Sequence, residues 1–137
     1  MSLDPRWLPL HTALAEEADR YTQALRAAEE LPPALREGRD AGPHLQELAR
    51  QLDAIAGIEQ RIDGPKQQWL QAAEPSPAEL EALRTRLVGL IRALQAQVSW
   101  AEREATLRKH QLAPQLDALA RGQQMQRAYG MAQRTGN

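Results

Sequence analysis

Apolar residues return along this chain at steps of three and four, in three separate stretches. Trp7, Leu10, Leu14, Ala18, Tyr21, Leu25 and Ala28 form the first stripe, with Glu16, Glu17, Asp19, Arg20, Gln23 and Arg26 between them. Steps of that size line up on one side of an α-helix, so the stretch predicts an amphipathic helix with a solvated opposite face. Leu45, Leu48, Leu52, Ile55, Ile58 and Ile62 predict a second helix. Leu80, Leu83, Leu87, Leu90, Leu94, Val98, Ala101 and Ala105 predict a third, and Leu112, Leu116 and Leu119 carry its apolar face further.

Prolines and glycines mark where these helices begin and end. Asp4-Pro5 reads as a cap and first turn, and Pro32-Pro33 ends the first helix near Glu30, because proline cannot continue a regular helix and disfavours α geometry in the residue before it. Residues 32–42 make a corner with one short turn, bounded by Gly38 and Gly42. Asp63-Gly64-Pro65 has turn chemistry and closes the second helix near Arg61 or Ile62, leaving a short bridge around Trp69 and Leu70. Ser76-Pro77-Ala78-Glu79 opens the third helix with a capping hydroxyl, a proline at the first helical position and a carboxylate reaching back.

Read as one rod, residues 76–121 span roughly 65–70 Å. Pro114 lacks an amide hydrogen and clashes with the carbonyl of His110, which predicts a kink. The expected fold is all-α: an elongated antiparallel helical bundle or coiled coil of three main helices, with one long C-terminal helix kinked near Pro114. Residues 1–130 form a single bundle domain and residues 131–137 a flexible tail. The rod outreaches its two shorter companions. Leu112, Leu116, Leu119, Met125 and Tyr129 are therefore expected to lack partners inside one copy and to form a binding surface or dimer seam.

Composition narrows the function classes. There is no cysteine among the 137 residues, which excludes disulfides, thiolate catalysis and cysteine metal sites. No window approaches 18 consecutive apolar residues and the first ten lack signal-peptide character, so the expectation is a cytoplasmic protein with no membrane insertion. The net charge of −1 argues against general nucleic-acid binding. It is unevenly spread: residues 1–63 carry 7 basic and 12 acidic groups, residues 64–137 carry 10 and 6. Acidic and basic helices that complement one another within the bundle account for this, and a basic C-terminal docking surface is the sharper alternative.

Catalytic patterns are missing from the text of the chain. His11, His44 and His110 fall in different predicted elements, and no acidic residue stands three positions before any of them, so no metal site and no cofactor are expected. Glu16-Glu17 and Glu29-Glu30 are adjacent pairs that point about 100° apart on a helix, which reads as solvated face and not an acid/base dyad. With no glycine-rich phosphate loop and no nucleophile elbow, an enzyme is not expected. Trp7, Trp69 and Trp100 are read as core or helix-junction packing.

The most characteristic text is Leu116-Asp117-Ala118-Leu119-Ala120-Arg121-Gly122-Gln123-Gln124-Met125-Gln126-Arg127-Ala128-Tyr129-Gly130. It resembles the end of small bacterial flagellar export chaperones of the FlgN and FliT type, in which a long helix passes through a Leu-rich segment and a polar bridge to a Tyr-Gly pair. The resemblance implies a non-enzymatic chaperone that holds hook- or filament-associated subunits in the cytoplasm and delivers them to the type III export gate. It places the client groove on Leu112, Leu116 and Leu119 and gives gate docking to Tyr129 and Gly130. The chain lacks the mid-helix Asn-Gly pair of the FlgN branch, and its tail continues Met-Ala-Gln-Arg where the family has an acidic type, so the branch stays open.

Two readings compete with it. One is a structural coiled-coil adaptor that self-associates through its long helix as an antiparallel homodimer, with no secretion role. The other is a nucleic-acid accessory protein using Arg103, Arg108, Lys109, Arg121 and Arg127.

Overall fold

The computed structural model describes residues 3–121, and every regular element among them is helical. Asp4 accepts a hydrogen bond from the Arg6 amide at 3.0 Å and opens a 3-10 turn, Pro5–Trp7, which leads into helix α1, Leu8–Glu29. A short helix α2 follows at Leu31–Glu37. Pro32 and Pro33 start α2 as well as ending α1: in a first turn the amide hydrogens have no intrahelical acceptor, so proline loses nothing there. Gly38 stops α2 at φ 70°, a left-handed conformation that only glycine reaches without strain, and the Arg39 amide bonds back to the Ala34 carbonyl at 2.8 Å.

Helix α3, Gly42–Gln71, runs straight through the expected stop at Asp63-Gly64-Pro65. Gly64 and Pro65 both sit on the exposed side, as does Arg61, whose carbonyl loses its partner to the missing proline amide. The opposite side keeps packing beyond them: Ile62, Lys66 and Trp69 are buried, and the Trp69 indole donates to Ser76 Oγ at 2.8 Å. Tertiary contact on one face outweighs the local turn signal on the other. The same bond corrects the reading of Ser76, which accepts from Trp69 and does not cap the next helix; Pro77 occupies the N-cap position.

Helix α4 covers Ala78–Leu107, about 45 Å, and the expected single rod ends there. Lys109 adopts φ 52°, the His110 amide bonds back to the Ala105 carbonyl at 2.8 Å, and a separate helix α5 begins at Ala113–Ala120. Pro114 is the physical reason. Inside a continuous helix it would clash with His110 and leave a carbonyl unbonded; by breaking upstream, the chain moves Pro114 into a first turn where both costs vanish. The kink is thus a full break. His110 completes it, since its Nδ1 accepts from the Leu112 amide at 3.1 Å at the start of α5.

Helix α1 is the hub, packing along both α3 and α4, while α2 and α5 lie against α4. Arg61 of α3 reaches Glu16 at 3.4 Å, and Arg20 reaches Gln51 at 3.4 Å, so α1 and α3 run antiparallel. Ala13, Ala18, Ala24, Ala27 and Ala28 give α1 a slim girth that lets neighbours approach from two sides. The core is continuous from Trp7 to Leu116.

Candidate functional site

The residues expected to meet a partner divide into two groups. Met125, Tyr129 and Gly130 lie outside the described residues, as do Arg127 and the tail 131–137. Leu112, Leu116 and Leu119 are described, and the expectation that they lack partners within one copy is overturned. Leu116 is fully buried, Leu112 is 9% exposed, and Leu119 packs partly buried against the same core. The five-residue turn after α4 is the cause: it sends α5 back along α4, and the apolar face that a rod would project into solvent closes on the bundle instead.

Helix α5 is a short cover attached by little. It has eight residues, its main packing neighbour is α4, and its side-chain anchors are Leu112, Leu116 and part of Leu119. Its outer residues Pro114, Gln115 and Ala118 are exposed. Beside it, the end of α4 shows two of the large exposed apolar side chains, Trp100 and Leu107, at 41% and 80%.

A second cluster, unforeseen from sequence, lies in the α1–α3 seam. Glu17, read as solvated, is 1% exposed, and Lys66 is 4% exposed. Lys66 Nζ pairs with Glu59 Oε2, both on α3. Glu17 faces them from α1, and one oxygen of each carboxyl, Glu17 Oε1 and Glu59 Oε1, is buried without a donor among the described residues. A proton on Glu17 supplies the missing donor. Burial foremost, then the hydrogen bond to Glu59 and its negative charge, push Glu17 up from 4.5 to about 9, against the pull of Lys66. At neutral pH the Glu17 carboxyl is therefore neutral and bridges to Glu59. Tyr21, one turn on, is 1% exposed, and its hydroxyl is raised by burial and then by the charges of Glu17 and Glu59.

The signal for this cluster was present in the register. Leu10, Leu14, Glu17, Tyr21, Ala24 and Ala28 step by four and three, so Glu17 stands on the buried stripe, where the apolar pattern passes equally well through Ala18. Lys66 likewise falls four after Ile62 and three before Trp69. A buried ionic pair gives little net stability, but moving α1 along α3 would take the Glu17 proton away from Glu59 and leave a buried carboxylate oxygen without its donor.

No group of three or more His, Asp or Glu among the described residues is placed to hold a metal ion, and none of their helices is long and apolar enough to cross a membrane. The chain matches no protein-family model, and no curated protein or solved structure is significantly similar to it.

Proposed function

We propose that this chain is a non-enzymatic, protein-binding helical bundle, an export chaperone of the flagellar type, in which α5 covers the seam that receives a client helix. The observation that carries this reading is the separateness of α5. A two-turn helix is not stable in isolation, and its two well-buried leucines contribute only roughly 3–6 kcal/mol before any loss of chain entropy. Elements held this weakly open far more readily than the bundle as a whole. When α5 lifts, the apolar side of α4 beneath it becomes a groove of the width a single amphipathic helix fills.

The C-terminal text ending at Tyr129-Gly130 supports the flagellar assignment and, with it, hook- or filament-associated subunits as clients in the cytoplasm and the export gate as second partner. Binding requires no cofactor. Because α5 occupies the groove, the proposal assigns Leu112, Leu116 and Leu119 to the cover and not to the client contact, which reverses the sign of the obvious experiment. Leu116→Asp should release α5 and strengthen co-purification with late flagellar subunits. Unchanged or weakened capture, with the variant still helical by circular dichroism, would contradict the reading.

A self-associating coiled-coil adaptor is the competing reading, favoured by the exposed Trp100 and Leu107 on α4. Sedimentation with and without a client subunit separates the two, since an adaptor shows only its own homodimer and a chaperone sediments together with the client.

A further inference from the structure

One side of α4 lies in the core through Leu80, Leu87, Ile91, Leu94, Val98, Ala101 and Ala105. Its exposed side carries a second stripe at helical spacing, in which Ala82, Arg86, Gly89, Trp100, Arg103 and Leu107 all lie open to solvent. A side chain added at Gly89 would meet no atom of the described residues within 4 Å, so nothing among them requires a glycine there. Glycine within a helix weakens it, and this one sits in the middle of a 30-residue helix. Trp100 is the opposite case: a large ring, 41% exposed, with the Arg36 guanidinium 5.5 Å over one face.

We propose that this outer face of α4 pairs antiparallel with the same face of a second copy of this chain. The occupant follows from the register. Set Gly89 opposite Trp100 and the two-fold axis falls between residues 94 and 95; Ala82 then lies opposite Leu107, and each large side chain of one copy meets a small residue of the other. Charge does not select this alignment: Arg86 comes level with Arg103 of the second copy, while Glu81 comes opposite Arg108. The match of large to small side chains does, since a parallel pairing stacks Trp100 on Trp100.

The contact is one helix wide and less than 45 Å long, which places the buried area near the lower bound for a stable interface, about 1,000 Å² in total. The dimer should accordingly dissociate in the micromolar range. A nucleic acid fits the face less well, because the few arginines of this stripe lie too far apart to match the phosphate spacing of a duplex. The inference does not depend on the client reading, which concerns the covered side of α4.

The test is sedimentation equilibrium of the full chain from micromolar to millimolar concentration, with Gly89→Gln as the variant. Wild type should show a monomer–dimer equilibrium, and Gly89→Gln should weaken it at least tenfold while leaving the helix content and thermal midpoint as high or higher. Register is read independently from introduced cysteines, because the chain has none of its own. A mixture of Ala93→Cys and Ala96→Cys proteins should form the mixed disulfide faster than either protein links to itself. A monomer at every concentration, a dimer indifferent to Gly89→Gln, or fastest linkage of Ala96→Cys to itself would each overturn the proposal, as would tighter association with duplex DNA than with itself.

Discussion

At the scale of single residues, Glu17 makes the sharpest prediction. Its folded-state pKa of about 9 stands above the ordinary 4.5, so the folded chain holds a proton that the unfolded chain releases. Its contribution is complete below pH 4.5 and is lost as pH rises towards 9, with a slope approaching about 1.4 kcal/mol per pH unit. Urea unfolding at pH 5.5 and 8 should show the protein more stable in acid, and Glu17→Gln, which keeps a neutral donor to Glu59, should flatten that difference and stabilise the protein at pH 8. A midpoint that rises with pH over this interval would refute the shared proton. Lys66→Met makes the converse prediction: it strands Glu59 in the seam and should destabilise by about 3 kcal/mol at pH 7. Glu17 was hidden in the sequence by its neighbour Ala18, which satisfies the apolar stripe equally well. Hydrophobic periodicity reports where apolar groups are, and is silent about a polar group that has brought its partner with it.

At the scale of elements, the starts and stops were legible where local chemistry acts alone and failed where packing overrides it. Pro32-Pro33 and Gly38 sit at element ends in the structure as in the sequence reading. Pro65 does not, because Ile62, Lys66 and Trp69 hold the far side of α3 in the core. Pro114 reads as a kink in the sequence and is a restart in the structure: a chain can bend at a proline or restart just before it, and the leucines beyond it favour the restart, since it brings Leu116 from water into the bundle. The break should respond to backbone chemistry. Lys109 holds a left-handed conformation that disfavours any side chain, so Lys109→Gly should raise stability by about 1 kcal/mol if the turn is formed. In an unbroken helix the same substitution would lower it by a similar amount, and thermal melts of the two proteins decide between them.

At the scale of the whole molecule, the stripes gave the all-helical class and the antiparallel pairing of α1 with α3, but they could not say which helix would be central. That role fell to α1, the slimmest, whose alanines admit α3 and α4 on two sides. The candidate site changed most. Leu112, Leu116 and Leu119, expected to wait for a partner, pack at home, and the proposed partner surfaces are the groove under α5 and the uncovered face of α4. The groove depends on α5 lying back along α4. The absence of cysteine allows that to be measured directly, with spin labels at Arg86→Cys and Ala118→Cys and a double electron–electron resonance experiment on magnetically dilute samples. The folded-back arrangement predicts a main distance on the order of 25 Å, shifting longer when a client binds. A single population near about 48 Å, the separation along one unbroken helix, would contradict it.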